Sequence, residues 1–214
     1  MNKKFYTHII WDWNGTLFND AKWCFDVTNR LLIKHNLRPF ANVGEYRSVF
    51  DFPIIGYYEK IGFNLIEKPF EIIANEYLEL YHANQTGGCC LHKNTQFVLE
   101  QFHRHKNQVI LSASEKGNLV SQVNDLNIAH YFNELLGLGD IYAKNKITVG
   151  MEYKQREGIE NAILIGDTRH DFDVAKELGI DCLLVANGHH NKEKLYLCGA
   201  PVLDDIIDVL DYIC

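Results

Sequence analysis

Three short apolar runs, each closed by a polar residue, constrain the fold of this chain more than any other feature. Ile9-Ile10-Trp11 runs into Asp12, Val109-Ile110-Leu111 into Ser112, and Ile163-Leu164-Ile165-Gly166 into Asp167. β-Branched and aromatic segments of this length, without polar alternation, suit strands buried on both faces. Such strands belong to parallel sheets covered by helices, and helical periodicity does lie between them. The spacing predicts helices near 94–105, through Leu119, Val120, Val123 and Leu126, and around 147–157, 174–178 and 204–213. It predicts further strands at 134–138 and 182–185. In a parallel sheet the three polar ends share one edge, where open α/β sheets keep their ligand crevice.

One block departs from this alternation. From Asp20, an expected N-cap, the residues Cys24, Val27, Leu31 and Leu32 fall on one helical face. A short helix at 46–50, the punctuation Phe52-Pro53 and an aromatic-rich helix at 54–61 follow, and Pro69 then opens a helix with Phe70, Ile73, Tyr77 and Leu80 in phase. No strand pattern occurs between Asn19 and Gln85. The expected organisation is an α/β core of residues 1–18 and 87–214 and an inserted all-helical module of 19–86, with hinges near Phe18–Asn19 and Thr86–Gly88. A 214-residue chain that is 47% hydrophobic has enough apolar surface for both.

A net charge of -7 argues against general nucleic-acid binding, which needs a basic excess to displace phosphate counterions. An anionic ligand must then be met locally. No segment is apolar and long enough to span a bilayer, and Met1-Asn2-Lys3-Lys4-Phe5 carries no apolar signal core, so a soluble cytoplasmic protein is expected. Six scattered cysteines read as reduced thiols. His103-x-His105 and His189-His190 lack a second ligand pair at zinc spacing and read as exposed or hydrogen-bonded histidines.

Asp12 and Asp167 on one sheet edge repel each other unless a cation lies between them, and an all-oxygen environment favours a hard ion such as Mg²⁺. Asp171 lies one helical turn further on, able to ligate directly or through water.

In chain order, Asp12-Trp13-Asn14-Gly15-Thr16-Leu17, Ser112, a lysine, and Gly166-Asp167-Thr168-Arg169-His170-Asp171 resemble the motifs of the haloacid dehalogenase superfamily, in particular its phosphoglycolate-phosphatase-like members with a helical cap. That resemblance spans essentially the whole chain. It implies a Rossmann-like, doubly wound parallel sheet with the helical block as cap, and a Mg²⁺-dependent phosphohydrolase working through an aspartyl-phosphate. By the same analogy Asp12 is the nucleophile, and Asp12, the Asn14 backbone carbonyl, Asp167 and Asp171 hold the metal. Ser112 binds phosphoryl oxygens. The remaining motif position falls on Lys146, with Lys144 as the alternative, and a cation there offsets the repulsion between an attacking carboxylate and a phosphate.

The family's usual phosphatase pattern has a second Asp two residues after the nucleophile, where this chain has Asn14. An amide neither delivers nor takes a proton at accessible pH, so acid–base assistance of typically about 10²–10⁴-fold is missing at that position. The expected substrate is a phosphomonoester of a small metabolite, with an activity weakened or specialised by Asn14; a low-pKa leaving group needs little acid assistance, so hydrolysis stays open to the chain. Two further readings stand beside it. One is a phosphonoacetaldehyde-hydrolase-like cleavage of a P–C bond, which needs a cap lysine (Lys22, Lys34 or Lys60). The other is a phosphate-ligand-binding protein that has lost its chemistry. Specificity is expected from the cap, through Arg47, Lys60, Tyr57 and Tyr58, and from Arg169. The expected assembly is a monomer or homodimer.

Overall fold

A computed structural model describes residues 4–83, 88–139 and 145–214. In chain order the elements are β1 (His8–Trp11), β2 (Phe18–Asn19), α1 (Ala21–Lys34), α2 (Val43–Val49), α3 (Ile54–Lys60) and α4 (Phe70–His82). Then come β3 (Cys90–Leu91), α5 (Thr95–His103), β4 (Asn107–Glu115), α6 (Lys116–Asp125), β5 (Glu134–Leu138) and α7 (Lys146–Glu157). The chain finishes with β6 (Ala162–Gly166), α8 (Arg169–Leu178), β7 (Asp181–Val185), α9 (Lys192–Tyr196), β8 (Val202–Leu203) and α10 (Val209–Tyr212).

Six strands form one parallel sheet in the order β5-β4-β1-β6-β7-β8. Successive residues of β1 face opposite sides. Ile9 and Trp11 pack with Val98, Leu99 and Phe102 of α5 and Leu119 and Val123 of α6. Ile10 packs on the other face with Tyr153 of α7 and Val174, Ala175 and Leu178 of α8. Burial of both faces is why the strands carry unbroken apolar runs. The order also makes β1 the turning point: the chain goes from β1 to β4 and β5 on one side, then returns to β6 on the other. Trp11 is in register with Ile165, and the Asp12 amide donates to the Ile165 carbonyl at 2.8 Å, so Asp12 and Asp167 leave the sheet side by side.

Helices α1–α4 bury their own apolar faces in a separate cluster that includes Trp23, Val27, Leu31, Tyr46, Tyr57, Tyr58 and Ile73. The expected Cys24, Val27, Leu31 and Leu32 face of α1 is the buried one. Among the described residues, no helix is long and apolar enough to cross a membrane. All six cysteines are unpaired.

Several local expectations need correction. Strand β4 runs on to Glu115, so Ser112 lies within the strand and not at its end; its ladder with β5 shifts register between Leu111 and Glu115, which lets the strand outrun its evenly paired part. Phe18–Asn19 is an antiparallel partner of Cys90–Leu91, a ribbon that ties together the two connections of the helical block. Strands of two residues are too short to leave an alternation in the sequence. Thr86 and Gly87 lie outside the described residues. The expected closing helix is split into a 3₁₀ turn at Ile206–Asp208 and the short α10. Helix α9 and strand β8 had no clear sequence pattern.

Candidate active site

The loop after β1 is held by its own backbone. The Trp13 carbonyl accepts from Leu17 at 3.1 Å and Phe18 at 2.9 Å, and the Gly15 amide donates to the Phe18 carbonyl at 2.8 Å. Gly15 has φ +80°, and a Cβ there would lie 2.3 Å from Oδ2 of Asp167. Only glycine meets both the left-handed backbone and that close approach. A Cβ at Gly188 would fall 2.0 Å from the same oxygen. Two backbone segments therefore cradle the Asp167 carboxylate.

Around it lie the predicted acids. Asp12, Asp167 and Asp171 are all buried and present carboxylate oxygens within 4.8 Å of one another. The Lys146 ammonium donates to Oδ1 of Asp12 and Oδ1 of Asp171, both at 2.5 Å. The Thr16 hydroxyl donates to Asp167 at 2.8 Å and lies 3.2 Å from Asp12. Asp171 is also the N3 residue of a capping box with Thr168, the actual N-cap of α8, which fixes its second oxygen. Lys144, the alternative lysine, lies outside the described residues.

The electrostatics are unbalanced. Burial, with the charges of Asp171 and Asp167 added, pushes the Asp12 carboxyl well above its ordinary range against the pull of Lys146. Burial raises Asp167 to about 6, partly opposed by His189. For Asp171 the burial effect is outweighed by the charge and hydrogen bond of Lys146, and its pKa is lowered. Lys146 is raised despite burial, by Asp12 and Asp171. Three carboxylates facing one ammonium leave a buried negative excess, and this all-oxygen donor set fits a hard divalent cation.

A second buried cluster adjoins the first. Asp20 occupies the N-cap position of α1, yet its side chain accepts from none of that helix's first-turn amides. Its Oδ1 lies 3.1 Å from His189 Nε2, and its Oδ2 accepts from the Asn14 amide at 2.7 Å and from the Tyr81 hydroxyl at 3.2 Å. The other end of Asn14, Oδ1, accepts from the Ser114 hydroxyl at 2.6 Å. His189 reaches in three directions: its backbone N–H donates to Asp167 Oδ2 at 2.6 Å, Nε2 faces Asp20, and Nδ1 lies 2.9 Å from the Tyr46 hydroxyl on α2. Burial would lower the His189 pKa, but the charge and hydrogen bond of Asp20, with Asp167 and Asp12, raise it to about 9. Asp20 is lowered in turn, because His189 and the hydrogen bonds outweigh burial.

His189 and Asp20 were not expected at the site. The available signal was position: β7 is a fourth apolar run on the same edge, and Ala186-Asn187-Gly188-His189 follows it. The His189-His190 pair is buried and hydrogen-bonded, the second of the two expected alternatives.

Ser112 is buried, and its Oγ accepts from the Ser114 amide at 3.1 Å, so it supports the strand that holds Asn14. Arg47 donates to the Asn187 carbonyl at 3.0 Å, a bond from α2 to the loop carrying His189. Arg169 is largely exposed; its amide donates to His190 Nδ1 at 3.1 Å, and it lines a cavity of about 360 Å³ with Asp51, His190 and Lys194. Lys60 is exposed on α3 and shares no hydrogen bond or ion pair with the acids. Lys22 and Lys34 are exposed and pair with Asp26 and Glu76, so neither is in position to form an imine at this site. Tyr57 and Tyr58 pack inside the helical cluster. The helical block meets the core instead through Phe50, 5.2 Å from the His189 ring, and Phe52, stacked on His170 at 4.5 Å.

Residues 9–185 match the haloacid dehalogenase-like hydrolases, and the chain belongs to that family. No curated protein matches its sequence. Its fold is that of phosphatase-like members. A haloacid dehalogenase-like family hydrolase from Streptococcus pneumoniae is similar at TM-score 0.84 and 20% identity, over 96% of this chain and 97% of that one. A "predicted phosphatase" from Clostridium acetobutylicum is similar at 0.84 and 17%, over 97% and 98%. A "predicted phosphoglycolate phosphatase" from Haemophilus somnus is similar at 0.78 and 18%, over 96% and 97%.

Proposed function

We propose that the chain is a Mg²⁺-dependent phosphohydrolase that cleaves a small phosphomonoester through a phosphoryl group carried on Asp12. The observation behind this reading is the pairing of a strand-end carboxylate, Asp12, with a buried ammonium, Lys146, beside two further carboxylates. Asp12, Asp167, Asp171 and the Asn14 carbonyl would hold the metal, which when bound supplies charge neutralisation at the phosphoryl oxygens. One Asp12 oxygen attacks phosphorus as the bond to the leaving oxygen breaks and its electron pair departs with that oxygen. Water then attacks the phosphorus, the Asp12–phosphorus linkage breaks, and the free carboxylate and inorganic phosphate are released. Lys146 holds Asp12 in place and offsets charge as the phosphoryl group approaches. Ser112 would bind phosphoryl oxygens by its hydroxyl.

In this reading residues 19–86 are the cap and 1–18 with 87–214 the core. Arg169 would touch the substrate from the motif loop, and Arg47 would keep α2 over the site. With no carboxyl at position 14, the favoured substrates have leaving groups that depart without a proton. Phosphate release is to be measured from a panel including acetyl phosphate, p-nitrophenyl phosphate and phosphoglycolate, with Mg²⁺ and with chelator. Release from at least one substrate that requires Mg²⁺ and Asp12 supports the proposal, and no release from any of them rejects it.

A further inference from the structure

The residue that departs from the family's usual pattern, Asn14, is not free. Its amide nitrogen is committed to Asp20 at 2.7 Å and its oxygen to Ser114 at 2.6 Å, so the orientation of the amide is set from both sides. Asp20, only 1% exposed, is in an unusual position for an N-cap aspartate. Such a residue ordinarily accepts from the first-turn amides of its own helix. Here that bond is absent, and the carboxylate instead accepts from Asn14, Tyr81 and Cys24 and faces His189. Through His189 the same carboxylate is one residue away from both Asp167 and the cap hydroxyl of Tyr46.

We infer that Asn14 and Asp20 are an exchanged pair: the buried carboxylate absent from position 14 is carried at position 20, and Asp20 is the positioning residue that fixes the Asn14 amide and, through His189, the contact with Tyr46 on α2. The inference rests on the phosphohydrolase reading for its catalytic consequence, but not for the pairing. At the contact between the two residues an amide facing a carboxylate is complementary in either direction, although an amide at position 20 keeps one acceptor oxygen for His189 and Tyr81. Two carboxylates at this separation repel, and two amides leave the His189 and Tyr81 donors competing for one neutral oxygen. Asn14→Asp alone therefore does not restore a general acid: it sets one buried carboxylate against another.

The experiment is a double-mutant cycle on the full chain with Asn14→Asp, Asp20→Asn and the two combined. Thermal midpoints and kcat and KM for p-nitrophenyl phosphate in Mg²⁺ are measured for each. Each single variant is expected to lose about tenfold in kcat and to melt below the parent, as directly contacting, coupled residues do. The exchange variant restores the contact between positions 14 and 20 but leaves His189 and Tyr81 a single acceptor oxygen, so it is expected to lose clearly less than the two single losses combined, in midpoint and in kcat, without reaching the parent. That rescue is what a merely space-filling role would not give. Asn14→Asp turning over as fast as the parent, or a double variant whose losses are the sum of the singles, overturns the inference. Recovery of the midpoint without kcat, in an active parent, overturns the positioning role. If the parent releases no phosphate, it is the phosphohydrolase reading that fails, and the melting cycle alone decides the pair.

Discussion

Two buried polar clusters share the carboxyl edge of the sheet, and they differ in charge. Around Asp12, Asp167 and Asp171, three carboxylates meet a single ammonium, Lys146, among the described residues. Around Asp20, one carboxylate meets one histidine with a raised pKa, and the other partners are neutral donors. The second cluster is complete within the protein; its charges cancel. The first carries a negative excess that burial makes expensive. A site prepared for a cation and a lock closed by the protein's own groups are thus distinguished by their charge balance, although both are assemblies of buried acids. His189 joins them, since it touches Asp167 with its backbone and Asp20 with its ring.

The comparison is tested hardest at Asp12. Asp12→Asn is expected to reduce phosphate release at least about a thousandfold, as loss of a nucleophile does. The same variant is expected to melt at or above the metal-free parent, because it removes a charge whose burial is unfavourable; a lower melting point would mean that the first cluster is balanced after all. Lys146→Met removes the one ammonium that the described residues place against Asp12 and Asp171, and leaves both without an ion-pair partner among them. It is expected to lose about 3–5 kcal/mol in urea unfolding of the metal-free chain.

Mg²⁺ at a hundredfold its dissociation constant is expected to stabilise the parent by about 2.7 kcal/mol. Asp167→Asn is expected to abolish most of that gain. Stabilisation by Mg²⁺ that instead requires Asp20 would reverse the assignment of the two clusters.

One component of the pH dependence of the metal-free chain comes from Asp167. Its folded pKa is raised to about 6, above the unfolded value, so its contribution is fully present below the unfolded pKa and is lost as pH rises through about 6. Unfolding titrations in chelator should show a component of stability falling over that window and absent in Asp167→Asn. The smallest effect is expected from Tyr46→Phe, which removes one hydrogen bond from His189 to the helical block and should cost about 1 kcal/mol.

Much of this was legible in the sequence because a buried parallel strand leaves a strong signature. Ile9–Trp11 and Ala162–Gly166 could be placed from their unbroken apolar runs, and the polar residue after each run identified one end of the sheet. Lys146 was legible through its position before a helix and its order among the motifs. Asp20 reads from the sequence as a helix cap, since nothing there shows a side chain passing over the first-turn amides of its own helix. His189 was passed over because a histidine's role depends on partners brought together by β1, α1 and α2, more than 140 residues away in sequence. Ser112 reads from the sequence as a strand end but lies within β4, because an irregular ladder leaves no break in composition.

The most direct measurement is to mix the chain with acetyl phosphate, quench in acid during turnover, and map the phosphoryl group by peptide mass spectrometry. A phosphoryl adduct on the peptide containing Asp12, formed with Mg²⁺ and absent both in chelator and in Asp12→Asn, is the predicted result. Phosphate release that continues in Asp12→Asn, or an adduct on another residue, would contradict the account.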